Sequence, residues 1–338
     1  VAYISQLTET TPQTRLWHEV TRFFPAAIRA LLTQLSAADW AALEEIRLRT
    51  GRPLMLSGAR GEYMLTPEGV LTGNPEQAYR VSADDMLRTV ELVTGSSLYA
   101  VEDELRQGFV TVPGGHRVGL CGRAVVDGGK VRTLKYLTGL NFRISREVRG
   151  AADQVLPWLV RGPRAVYNTL IISSPRCGKT TLLRDLVRQI SNGIPRLGFA
   201  GLTVGVVDER SEIAGCYQGI PQRDVGLRTD VLDACPKAEG MMMLLRALSP
   251  AVIATDEIGR REDVEALEEM LNAGVSILAT AHGASVDDLR GRPVLRELLG
   301  RRIVERFVVL EYRHGPGAVR AVVDGGSFQA LGVVRCSR

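Results

Sequence analysis

One stretch constrains this chain more than any other: Leu170-Ile171-Ile172-Ser173-Ser174-Pro175-Arg176-Cys177-Gly178-Lys179-Thr180-Thr181. Its apolar start predicts a buried strand, a tight loop ends in Gly-Lys-Thr, and Leu182-Leu183-Arg184-Asp185-Leu186-Val187 then opens a helical spacing. Strand, loop and helix in that order are what a phosphate-binding P-loop requires. The helix start offers unpaired N–H groups and the positive end of a dipole, both of which favour a polyphosphate. Lys179 adds a mobile charge for the β- and γ-phosphates, and the Thr180 hydroxyl suits Mg²⁺. Ser173, Ser174, Pro175, Arg176, Cys177, Gly178, Lys179, Thr180 and Thr181 are therefore the expected nucleotide-binding residues. Two positions depart from the pattern G-x-x-x-x-G-K-[ST]. Ser173 stands where the first glycine would be, and Arg176 occupies a loop position that is often glycine. An arginine there either narrows the conformations of the loop or turns outward and touches phosphate.

A second motif lies downstream. Ala251-Val252-Ile253-Ala254-Thr255-Asp256-Glu257 runs from apolar residues into two acids. A buried parallel strand ends at the edge of its sheet where ligands collect. At such an end Asp256 would face the water shell of Mg²⁺, and Glu257 would orient or deprotonate the attacking water. Neighbouring carboxylates on a strand point to opposite faces, which suits separate tasks. Val206-Val207-Asp208-Glu209-Arg210-Ser211-Glu212 repeats the theme on another strand end. Glu209 is the second candidate for the base; the alternative is an ion pair with Arg210 or a neighbouring subunit. Ile277-Leu278-Ala279-Thr280-Ala281-His282-Gly283 ends a further strand, with Thr280 and His282 on one face, and His282 is placed to sense the γ-phosphate.

Composition narrows the class. No apolar run reaches the roughly 18 to 20 residues that span a bilayer; Met241–Ala254, the longest candidate, is broken by Arg246 and Pro250. Val1-Ala2-Tyr3-Ile4-Ser5 has no basic-then-apolar pattern, so no signal peptide is expected. Five cysteines (Cys121, Cys177, Cys216, Cys235, Cys336) lack C-x-x-C spacing, which argues against zinc and a disulfide scaffold and for a reducing cytoplasm. The net charge of +4 is weak evidence for nucleic acid, and aromatics at 5% leave few stacking platforms for single strands.

Two domains are expected, 1–148 and 149–338. The first mixes helices and hairpins and reads as a smaller α+β domain. Phe24–Leu32 starts an amphipathic helix with proline in its first turn, Ser36-Ala37-Ala38-Asp39-Trp40 restarts it, and Leu43, Ile46 and Leu48 continue its apolar positions up to Gly51-Arg52-Pro53. Ser82-Ala83-Asp84-Asp85 caps another helix, and Gly108–Val112 with His116–Val126 forms a hairpin. The second domain alternates strands (169–173, 202–208, 251–255, 275–280, 305–311) with helices (179–191, 237–248, 261–273, 286–299). That alternation predicts an α/β fold with a mostly parallel sheet. The methionines of 241–243 are expected in a core.

The phosphate loop, Asp208–Ile213, Thr255–Arg260 and Ala281-His282-Gly283 together resemble the stage III sporulation protein AA family, as do Leu43–Leu54, Glu91–Ala100 and Gly139–Glu147. That family is similar to the type II and type IV secretion ATPases. The resemblance implies a RecA-like P-loop core after the α+β domain, working as a hexameric ring that hydrolyses ATP with Mg²⁺. It makes Ser173–Thr180 the Walker A loop, Asp256-Glu257 the Walker B pair with Thr180 and Asp256 at the metal, Asp208–Glu212 the acidic box and His282 the histidine box. Lys179, Glu257 and Glu209 are the catalytic candidates. The implied role is a cytoplasmic motor, peripheral at the membrane through protein partners, that powers a sporulation channel between mother cell and forespore. Its partners are membrane proteins of that channel, and nucleic acid is not expected among them. The family's loop usually carries Pro-Gly where this chain has Pro175-Arg176, a change compatible with binding and slower turnover. Arg143 and Arg146 are candidates for arginines donated to a neighbour's site. Two other readings stand beside the motor: a nucleic-acid-stimulated RecA-like ATPase, and a nucleotide-gated scaffold with weak turnover.

Overall fold

The computed structural model describes residues 12–97, 101–313 and 316–332, and the chain divides into two units, Val1–Arg146 and Glu147–Arg338. Val1–Ser5, Leu98–Ala100 and Cys336, cited above, lie outside the described residues.

The first unit contains α1 (Pro12–Thr21), α2 (Ala26–Thr33), α3 (Ala37–Ala42), β1 (Leu43–Arg49), β2 (Met55–Gly58), β3 (Gly61–Leu65), β4 (Leu71–Thr72), α4 (Ala83–Val93), α5 (Glu102–Gln107), β5 (Phe109–Val112), β6 (His116–Asp127) and β7 (Lys130–Arg143). The strands form one antiparallel sheet in the order β4-β3-β2-β1-β7-β6-β5. Phe24, Ile28, Leu32, Ile46, Leu48 and Phe142 fill its core. Ser82 and Asp85 close a reciprocal cap on α4, as the sequence predicts. The expected helix through Leu48 is corrected: α3 stops at Ala42 and Leu43–Arg49 is a strand. A register shift between Leu43 and Glu45 turns both Leu43 and Ile46 inward although they are three residues apart. The bulge thus imitates helical spacing, while Ile46 and Leu48 keep the period of two. Arg146 donates to the carbonyls of Trp40 and Leu43, sealing the end of α3 within this unit. That bonding replaces the donated-arginine role considered for it.

The second unit contains α6 (Leu156–Leu159), β8 (Val160–Gly162), β9 (Ala165–Val166), β10 (Thr169–Ser173), α7 (Lys179–Asn192), β11 (Val204–Asp208), β12 (Thr229–Asp233), α8 (Lys237–Leu248), β13 (Val252–Thr255), α9 (Arg261–Asn272), β14 (Ser276–His282), α10 (Val286–Arg290), α11 (Pro293–Gly300), β15 (Arg306–Glu311), β16 (Ala318–Asp324) and β17 (Ala330–Gly332). Its main sheet runs β12-β11-β13-β14-β10-β15-β16-β17, parallel from β12 to β15 and antiparallel beyond. Apolar clusters cover both faces, which is why the central strands read as unbroken apolar runs. The helix expected over 286–299 is two helices, because Pro293 cannot continue the first and instead opens the second. Met241 is buried, as expected of a core residue, whereas Met243 is exposed. Parallel pairing brings the C-terminal ends of β11, β13, β14 and β10 to one edge of the sheet, and Ser173 lies directly opposite His282.

Candidate functional site

That edge collects the sequence-predicted residues. Gly178 caps α7 with φ +88, and a Cβ there would stand 3.0 Å from the Gly317 nitrogen, which itself donates to the Cys177 carbonyl. Glycine is thus required both by its backbone conformation and by the approach of the 316–317 turn. Cys177 is buried and Ser173 completes β10. Lys179 folds back along the loop: its Nζ donates to the carbonyls of Ser173 (3.2 Å) and Ser174 (3.3 Å) and to the Ser173 hydroxyl (3.3 Å). Burial pulls the lysine below the usual ammonium range, against the opposing pull of the Asp256 and Glu257 carboxylates.

Three residues after Ser173, Arg176 adopts φ +62, the left-handed region that costs an L-residue about 1–2 kcal/mol. Part of that cost returns when glycine replaces it, offset by the greater freedom of glycine in the unfolded chain. Arg176→Gly is therefore expected to raise stability by about 0.5–1 kcal/mol, read by urea denaturation. A loss of stability would mean that the guanidinium makes a compensating contact.

Asp256 and Glu257 are not the alternating pair of a strand end. The strand stops at Thr255, and Glu257 turns into φ +50. Thr180 donates to Asp256 Oδ2 at 2.7 Å, and Thr280 donates to Oδ1 of the same carboxylate. The Glu257 N–H in turn donates to Thr280 Oγ1 at 2.9 Å, which fixes the turn. The two acids still separate: Asp256 faces the α7 start, while Glu257 faces His282. His282 Nε2 lies 3.1 Å from Glu257 Oε1, and its Nδ1 lies 3.1 Å from Lys179 Nζ. A neutral imidazole protonated on Nε2 satisfies both contacts, donating to the carboxylate and accepting from the ammonium. The P-loop lysine and the second acid are thereby joined through one ring.

The acidic segment differs from its expected pairing. Arg210 donates to Glu257 Oε2 at 2.8 Å, not to Glu209. Glu209 instead holds Lys237 at the start of α8 and stands 3.8 Å from Arg260. Asp208 organises the turn: its carboxylate accepts the backbone N–H groups of Glu212 (2.8 Å), Ile213 (3.0 Å) and Ala214 (2.8 Å). Buried Arg184 donates to the carbonyls of Glu212 and Ile213 alongside. Burial pushes the Asp208 carboxyl up to about 6, outweighing those three donors. Asp208, Glu209, Arg210, Glu212, Lys237, Asp256 and Glu257 line one small cleft. The site therefore unites Lys179, Thr180, Asp256, Glu257 and His282 by direct contacts, with Glu209 tied up at its margin. Sequence reasoning considered Arg210 only as a partner for Glu209, and missed Arg184, Lys237 and the anchoring role of Thr280. Only Thr280 carried a signal, its shared strand face with His282.

Chemically, a helix N-terminus, a lysine and a hydroxyl–carboxylate pair can receive a polyphosphate. Thr180 and Asp256 offer hard oxygen donors of the kind Mg²⁺ takes while keeping waters and phosphate oxygens.

The family described as "Sporulation stage III, protein AA" matches residues 14–328. Stage III sporulation protein AA of Bacillus subtilis (strain 168) is 42% identical over 308 residues, covering 91% of this chain and 95% of that protein. Among solved structures, the ATPase DotB of Legionella pneumophila superposes with a TM-score of 0.56 at 15% identity, covering 91% of this chain and 83% of its own. The ATPase DotB of Yersinia pseudotuberculosis gives 0.54 at 12% identity, covering 90% and 81%. At those identities the likeness is one of fold: an N-terminal unit followed by a RecA-like α/β core.

Proposed function

The chain belongs to the sporulation stage III protein AA family, and on that premise we propose that it is an ATP-hydrolysing motor subunit that uses Mg²⁺. The observation that carries the reading is the chain of contacts from Thr180 through Asp256 and from Lys179 through His282 to Glu257. In this proposal the triphosphate lies at the start of α7, and Lys179 exchanges its loop carbonyls for phosphate oxygens. Thr180 and Asp256 hold Mg²⁺, which when bound neutralises charge on the phosphates. Glu257 accepts a proton from the attacking water as its oxygen bonds to the γ-phosphorus and the β–γ bridging bond breaks. The proton then passes to the released phosphate, and His282 orients Glu257. The Asp256 carboxylate, anchored by two threonines, is held for the metal rather than for the base.

The remaining parts of the proposal rest on family membership and on the fold shared with secretion ATPases. The subunits assemble as a hexameric ring at the cytoplasmic face of a membrane and power a channel complex between mother cell and forespore, docking on its membrane proteins. Among the described residues no helix is long and apolar enough to cross a membrane, which is compatible with peripheral attachment. One observation favours the weak-turnover reading as a second possibility: both Glu257 oxygens are engaged, by His282 and Arg210. The test is phosphate release by the full chain with ATP, with and without Mg²⁺. Mg²⁺-dependent release supports the motor. Binding without release supports the scaffold, and release driven by added DNA or RNA supports the nucleic-acid-dependent alternative.

A further inference from the structure

The strands β6 and β7, with 12 and 14 residues, outrun the sheet that holds them. β5 pairs only with His116–Gly119, and β1 only with Gly139–Arg143. From Cys121 to Thr138 the two strands continue as a ribbon whose ladder pairs them with each other; the Thr138 carbonyl accepts from the Thr50 N–H and the Arg132 carbonyl from Arg106 of α5, and no residue in the ribbon is buried. A bulge marks its root. A Cβ on Gly122 would stand 2.7 Å from the Lys135 carbonyl oxygen, and Tyr136 opposite takes φ +50. Glycine lets the strands approach there and bends the ribbon.

The ribbon is sorted by face. Arg123 pairs with Lys135, Val125 with Thr133 and Asp127 with Lys130; on the other face Ala124 pairs with Leu134 and Val126 with Val131. The first face carries three cations and one acid, the second only apolar side chains. Arg132 adds a further cation at the second bulge. Among the described residues none of Arg123, Lys130, Arg132 and Lys135 joins an ion pair. Val126 is 58% exposed, Val131 39% and Tyr136 75%.

Cations along free strand edges discourage edge-to-edge pairing, which accounts for the charges but not for an apolar face open to water. A nucleic acid would use the charges and leave that face idle. A bilayer surface carrying anionic lipid uses both. Apolar side chains enter the acyl boundary, long cationic side chains reach around a ribbon two strands wide to the headgroups, and a tyrosine sits at that depth. We infer that the ribbon Cys121–Thr138 is an interfacial anchor that docks this chain directly on anionic lipid.

The test is sedimentation of the full chain with vesicles of phosphatidylcholine alone and of phosphatidylcholine mixed with phosphatidylglycerol. The wild type is expected to sediment with the anionic vesicles only. The double variant K130E/R132E should bind them at least about tenfold more weakly. V126N/V131N, with every charge intact, should also lose several-fold affinity. All four positions are exposed, so both variants should melt and take up Mg²⁺-ATP as the wild type does. Equal sedimentation with both vesicle types, or no effect of either variant, overturns the anchor. So does full binding by V126N/V131N, which would reduce the ribbon to a polyanion-binding patch, and so does sedimentation that requires an added protein.

Discussion

Glu257→Gln is expected to lower kcat for ATP hydrolysis by about 10²–10⁴, the range a general base contributes, while Mg²⁺-ATP affinity stays within about threefold. The expectation follows from placement. Glu257 sits one residue past Asp256 in a turn fixed by Thr280, and its carboxylate reaches the ring that touches Lys179. Glutamine keeps the size of the side chain and one acceptor oxygen, gives up the second acceptor that faces His282 or Arg210, and cannot accept the proton. Glu209→Gln should leave kcat within about tenfold, because that carboxylate is held by Lys237 and Arg260 at the margin of the site, apart from the Lys179–His282–Glu257 contacts. Its cost falls on folding, roughly 1–3 kcal/mol for leaving buried Lys237 without its counter-charge. Phosphate release measured at equal nucleotide occupancy separates the two. The reverse result would move the base to Glu209, and no effect from either would sink the motor.

Asp208→Ala is expected to destabilise the second unit by about 3–5 kcal/mol. Asp208 is 1% exposed and receives three backbone N–H groups. Alanine would strand those donors and remove a carboxylate whose charge favours the buried Arg184 cation, so the acidic segment would lose the shape that aims Arg210 at Glu257. Thermal melting should fall by about 10 °C or more. A pH dependence accompanies it. The folded carboxyl titrates near 6 against an ordinary value of 3.8, so its contribution is fully present below 3.8 and is lost as pH rises through 6. Between pH 7 and pH 5 this group alone should add about 1 kcal/mol of stability. Asp208→Asn, which keeps an acceptor but does not titrate, should remove that increment. Identical pH slopes for wild type and Asp208→Asn would show that the carboxyl is not held high.

Much of the second unit was legible because its central strands are buried on both faces and its ligand-bearing loops follow them directly. Leu170–Ile172 and Val252–Ala254 have no solvent side on which a polar residue could obscure the pattern. The parts that were not legible depend on contacts distant in sequence. Leu43 and Ile46 mimic a helix because a bulge turns both inward. Thr229–Asp233 forms an edge strand with little burial, so its apolar signal is thin. Arg210 meets Glu257 because Ser211 takes φ +51 in a turn built on Asp208, and no local pattern announces that conformation. The residue types of the site were readable, but the choice of ionic partner was set by the path of one loop.

The proposed motor requires nucleotide to be gripped at the start of α7 by Lys179. The direct measurement is calorimetric titration of Mg²⁺-ATP into the wild type and Lys179→Ala, each shown to be folded. One saturable site in the wild type, weakened at least about tenfold in the variant, is the predicted outcome. Absence of uptake by the wild type, or equal affinity in both proteins, would contradict it.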